Sequence, residues 1–99
     1  MTDNVSASAV HQVSKSEITV RVTFPITRHG PFTEEVEPAT TVQDVLTAAK
    51  NHFDVHDDSQ FTYVLAHDGT EESNTVTVGS IADEAKAVVF TLVKKITLG

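Results

Sequence analysis

Cysteine is missing from this 99-residue chain, and that absence excludes disulfides, thiol catalysis and thiolate metal sites together. No long apolar run exists, and the polar N-terminus lacks the apolar stretch of a signal peptide. A soluble cytoplasmic protein with no membrane partner is the expectation. Basic residues are scarce: 7 Lys and Arg stand against 14 Asp and Glu, for a net charge of −7. Phosphate recognition needs clustered Lys and Arg, so nucleic acid is not an expected partner. The four glycines, at positions 30, 69, 79 and 99, make no phosphate-cradling loop, and no nucleophile elbow or paired acid–base signature occurs. Neither catalysis nor a cofactor is expected.

What the chain does contain is a series of short periodic segments on the scale of one domain. Residues 1–16, with His11 and Lys15, are polar and aperiodic and read as a disordered N-terminal tail. From Glu17 to Phe24 the residues alternate, with Ile18, Val20, Val22 and Phe24 inward and Thr19, Arg21 and Thr23 outward, as in a half-buried strand. Pro25 ends it, and residues 26–31 supply hairpin-turn chemistry. The return strand runs from Phe32 to Glu37 and stops at Pro38. Glu34 falls on its apolar face, which predicts either a bulge near Glu34-Glu35 or a carboxylate at the rim of the core.

Val42, Val45, Leu46, Ala49 and Phe53 then recur at the spacing of one helical face, with Thr41 placed to cap the helix and Asp44 in its first turn. A third strand is expected from Phe61 to Ala66, with Phe61, Tyr63 and Leu65 on one face and Val64 and Ala66 on the other. His67 to Thr70 reads as a turn, Glu71 to Asn74 as polar loop, Thr75 to Val78 as a short strand, and Gly79 to Ala85 as a helical turn anchored by Ile81 and Ala85. The last strand places Val88, Phe90 and Leu92 on one face and Val89, Thr91 and Val93 on the other, then leaves the apolar pattern at Lys94-Lys95. A domain over residues 17–96 is expected, followed by a flexible tail over 97–99. The order predicts an α+β chain: a β-grasp of four to five strands in a mixed sheet, packed on one main helix, with the first and last strands parallel at its centre.

Three stretches carry a resemblance to the ubiquitin-like family. Phe32-Thr33-Glu34-Glu35-Val36-Glu37-Pro38 is similar to the second strand of that family, and Thr41-Val42-Gln43-Asp44-Val45 resembles the helix start that follows. Phe90 to Gly99 lies on the final strand and tail without a gap, bringing Gly99 onto the terminal glycine. The lack of cysteine also suits the bacterial ubiquitin-like proteins that accompany activating enzymes. The resemblance implies a protein modifier acting as a monomer. Its C-terminal glycine carboxylate would be activated with ATP, passed to an enzyme thiol and transferred to a target amine. The implied partners are activating and conjugating enzymes, a deconjugating protease and the target proteins.

The tail residues so implied are Thr97, Leu98 and Gly99, and Leu98 departs from the family's usual second glycine. An exposed aliphatic patch is implied as well, made by Val64, Val93 and Ile26 and flanked by Lys94 and Lys95. Asp68 stands at or next to the family's best-known chain-forming lysine, so chains through that position are not expected. Two other readings stay open: a non-covalent interaction module using the same patch, and a sulfur carrier.

His52, Asp54, His56, Asp57 and Asp58 sit close together after the helix, but their spacing matches no familiar ligand motif, so a solvated connection is expected rather than a metal site. The acidic segments Glu34-Glu35-Glu37, Asp54-Asp57-Asp58 and Glu71-Glu72 read as solvated surface or as a face toward a basic partner.

Overall fold

Residues 17–96 are described by a computed structural model; the expected tails, 1–16 and 97–99, lie outside the described residues. The first alternating segment forms strand β1, Ile18–Thr23, with Ile18, Val20 and Val22 buried and Phe24 continuing the row. Pro25 and Ile26 occupy the centre of a turn closed by the Thr27 N–H donating to the Phe24 carbonyl at 3.1 Å. Proline suits that place because its fixed φ matches the first central residue of a turn. The chain returns as β2, Phe32–Val36, antiparallel to β1. The pairing is one for one, Ile18 with Val36 and Val20 with Glu34, so the expected bulge is absent. Glu34 keeps its place on the core-facing row yet stays exposed, because β2 is the edge strand and the carboxylate reaches water at the rim.

Helix α1, Val42–Phe53, buries Val42, Val45, Leu46, Ala49 and Phe53. Its N-terminus is held twice. The Asp44 N–H donates to Thr41 Oγ1 at 3.3 Å, while the Val42 and Gln43 N–H groups donate to the Val76 and Asn74 carbonyls at 2.8 and 3.0 Å. Those first-turn donors have no partner within a helix. At the other end Asp54 turns left-handed, with φ of 58°, and its N–H meets the Asn51 carbonyl.

Strand β3, Phe61–His67, turns through Asp68 and Gly69 into β4, Thr70–Glu71. Both turn residues have positive φ, 53° and 82°, the two-residue hairpin geometry that Asp-Gly favours. The polar loop expected from Glu71 therefore opens with a short strand. The strand expected over 75–78 does not form. Only Thr77 makes a bridge, to Thr41, through the Val42 N–H on the Val76 carbonyl and the Val78 N–H on the Thr40 carbonyl, and both segments then turn into helices. Helix α2, Val78–Ala82, begins one residue early and ends short of Ala85. Val78 and Ala82 are its buried anchors; Ile81 is half-buried and Ala85 exposed.

Strand β5, Ala87–Ile96, closes the sheet. It runs parallel to β1 and antiparallel to β3, and the strand order is β2-β1-β5-β3-β4. It continues through Lys94 and Lys95 to Ile96, which pairs with Phe61, so pairing outlasts the apolar alternation. Inside lie Phe90, Leu65, Leu92, Val20 and Val22 beneath α1. The Phe24 ring stands 5.4 Å from Phe53 and 6.0 Å from Tyr63, closing one end of the core.

Gly79 touches Pro38 so closely that an added Cβ would lie 2.8 Å from the Pro38 Cβ and 2.9 Å from its carbonyl oxygen. Gly79→Ala is expected to cost about 1–3 kcal/mol, as overpacking does. The check is a lowered urea midpoint with an unchanged slope. Gly30→Ala, which meets nothing within 4 Å, is the matched control and should move the midpoint far less.

Candidate docking surface

Strand parity decides which side chains leave the core. On β5, Val88, Phe90 and Leu92 are buried, so Val89, Thr91, Val93 and Lys95 face outward. On β3, Tyr63 and Leu65 are buried, so Thr62, Val64 and Ala66 face outward. Register then sets Val64 directly opposite Val93, and both are half-buried. Ile26, lifted on its proline turn, is 72% exposed. Phe24, Pro25 and Ile26 line one side of a shallow apolar groove and Thr91, Leu92, Val93 and Lys94 the other. Val93 thus belongs both to the groove with Ile26 and to the pair with Val64, and the three aliphatic residues form one connected surface.

The two lysines diverge because they are consecutive on a strand. Lys95 lies on the outer face opposite Thr62, its Nζ 2.8 Å from Glu71 Oε1. Lys94 lies opposite the buried Tyr63 and borders the groove, its Nζ 3.9 Å from the centre of the Phe61 ring, a cation–π contact. Only Lys95 shares the face of Val64 and Val93. The same face carries Val89, 53% exposed and opposite Arg21. Alternation already marked Val89 as outward, so its place on this surface was readable from the sequence. Thr97, Leu98 and Gly99 lie outside the described residues, directly after Ile96.

The His- and Asp-rich segment is used to tie the end of α1 to β3. Asp57 Oδ1 accepts from the Tyr63 N–H at 3.0 Å and Oδ2 from Lys50 Nζ at 3.3 Å. Asp58 Oδ1 accepts from the Gln60 and Phe61 N–H groups at 2.7 and 3.0 Å. His52 Nε2 is 3.2 Å from the Gly30 carbonyl oxygen. Among the described residues, no group of three or more His, Cys, Asp or Glu is arranged to hold a metal ion. His67, with its ring nitrogens 3.8 Å from Asp68 and 3.9 Å from Glu72, makes no hydrogen-bonded dyad with either. Between β2 and α1, Glu34, Glu35, Glu37, Asp44 and Glu17 surround a second, polar recess.

Partial desolvation pushes the Asp57 carboxyl up, but the Tyr63 N–H, the Thr62 side chain and the Lys50 ammonium outweigh it and hold the group below its ordinary value. The folded pKa being the lower one, Asp57 stabilises the fold above the unfolded carboxylate pKa of about 4. That stabilisation is lost as pH falls through the folded value. In urea titrations from neutral pH downward, the wild-type midpoint is expected to fall more steeply than that of Asp57→Asn, and the two should converge in acid. Parallel curves would contradict this.

No protein-family model and no curated protein matches the chain. Solved structures do match it. The ubiquitin of Caldiarchaeum subterraneum superposes with a TM-score of 0.66 at 24% identity, over 84% of this chain and 98% of that one. ATG8 of Trypanosoma brucei gives 0.65 at 11% identity, over 94% and 85%. A structure of ATBAG1 in complex with HSP70 gives 0.60 at 11% identity, over 79% of this chain and 40% of that one. The chain has the ubiquitin-like β-grasp fold, of class α+β, with a five-stranded mixed sheet packed on one main helix. None of the helices among the described residues is long and apolar enough to cross a membrane.

Proposed function

We propose that this protein is a ubiquitin-like protein modifier, read by its partners on the Val64, Val93 and Ile26 surface and joined to target proteins through Gly99. The observation that carries the reading is the double use of β5. The strand that presents Val93 to the docking surface ends at Ile96 and is followed directly by Thr97, Leu98 and Gly99. Recognition and attachment would then share one end of the fold.

The chemistry asks little of the protein itself. A carboxylate at Gly99 attacks the α-phosphorus of ATP and displaces pyrophosphate. An enzyme thiolate then displaces AMP, and a target amine displaces the thiolate. Each step belongs to separate activating and conjugating enzymes, and a deconjugating protease reverses the last bond. Glycine suits the reacting position because a residue without Cβ adopts backbone angles closed to others. On this reading the protein is the substrate of that chemistry and not its catalyst.

Deleting Gly99 is expected to abolish high-mass conjugates of the tagged protein in its native host while leaving its urea midpoint unchanged. Conjugates that persist in the deletion variant overturn the proposal. Val64→Asp with Val93→Asp is expected to weaken partner binding by about 2 kcal/mol or more, the range of interface hot spots.

One observation favours a second reading, a non-covalent interaction module. Leu98 precedes Gly99 where the resembling proteins carry another glycine, and a bulky side chain there narrows the set of enzymes able to accept the tail. In that case the Asp variants abolish partner binding and the host yields no covalent product.

A further inference from the structure

Lys95 and Glu71 belong to strands that are not neighbours, since β5 and β4 flank β3 on opposite sides. Their side chains nevertheless meet at 2.8 Å. Lys95 is opposite Thr62 and Glu71 is opposite Ala66, and Val64 stands midway between Thr62 and Ala66 on the same face of β3. To meet, the two side chains must cross the outer face of β3 diagonally at the level of Val64. Val64 is half-buried, as are Thr62 and Ala66 on either side of it. Both charged side chains remain close to half exposed, 46% for Lys95 and 49% for Glu71. Exposed ion pairs contribute little to stability, so this one opens at small cost.

We propose that the Lys95–Glu71 pair is a strap across the aliphatic surface and sets which partner docks there. The partner it fits presents an apolar side chain beside a carboxylate. The apolar group covers Val64 and Val93, and the carboxylate takes the place of Glu71 on Lys95. Charge decides for a carboxylate over an ammonium. Lys95 follows Val93 in the outward row of β5 and Lys94 borders the groove with Ile26, so once Glu71 is released the charge beside Val64 and Val93 is the Lys95 ammonium. Glu71 lies beyond β3 on the short edge strand, where it returns to water when released. This inference rests on Val64 and Val93 being a docking surface.

The test is methyl NMR of the full chain titrated with three synthetic leucine–alanine peptides, identical except for flanking Glu, Gln or Lys. In the free protein, Glu71→Gln is expected to shift the Val64 methyl resonances and leave those of Val89 in place. The Glu-flanked peptide should bind tightest, Glu71→Gln should tighten it by about two- to fivefold, and Lys95→Gln should erase the preference for Glu. Unmoved Val64 methyls in Glu71→Gln, equal binding of the three peptides, or a preference for the Lys-flanked peptide overturns the strap. If no peptide perturbs Val64 or Val93, the docking surface itself is refuted, and the strap's role in partner choice falls with it.

Discussion

Strand β5 is hydrogen-bonded along both of its edges, in parallel to β1 and antiparallel to β3. Two parallel neighbours cannot be joined by a tight turn; the chain between them needs a long crossover. Here that crossover carries α1, which lies on one face of the sheet and supplies Val42, Val45, Leu46, Ala49 and Phe53 to the core. A single main helix covers one face only. The outer face, with Val64, Val89 and Val93, is therefore left open by the same topology that builds the core. The outward row of Val64, Val89 and Val93 is the uncovered side of the sheet, and the turn at Pro25 brings Ile26 to the groove beside Val93.

The core is anchored unequally. Of its largest fully buried side chains, Phe90, Leu65, Leu92, Val20 and Val22 come from β5 and the two strands beside it, Val42 and Val45 from α1, and Val78 alone from α2. Strand β4, of 2 residues, is held at the sheet edge by its hairpin to β3. Helix α2 depends on a close approach in which the Gly79 N–H donates to the Pro38 carbonyl at 2.8 Å. Such peripheral elements open at lower free energy than central strands. Val64, on β3, accordingly stands between the central strand β5 and the short edge strand β4.

Strand β1 and helix α1 were legible because periodicity, capping and breakers agreed there. Ile18, Val20 and Val22 alternated up to Pro25, and Thr41 preceded a clean helical face. Glu34 could not be placed by pattern alone; only the edge position of β2 decides for the rim over a bulge. The segment over 75–78 misled because its Val and Thr residues suit a strand, whereas in the fold it makes one bridge, to Thr41, and then turns into α2. Short β4 carried too few residues to show a period. Parity exposed Val64 and Val93, but the groove with Ile26 needs the turn geometry. The Lys95–Glu71 contact was not legible at all, since it joins strands that never pair.

Native-state hydrogen exchange tests the dependence on β5 most directly. The slowest amides of β5 between Val88 and Leu92, with those of β1, should exchange only through global unfolding. Their free energies should equal the value from urea titration, while amides of β4 and α2 exchange at clearly lower cost. If the amides of β5 opened at lower free energy than those of α1 or β4, the central strand would not be what holds the fold together, and the account would be contradicted.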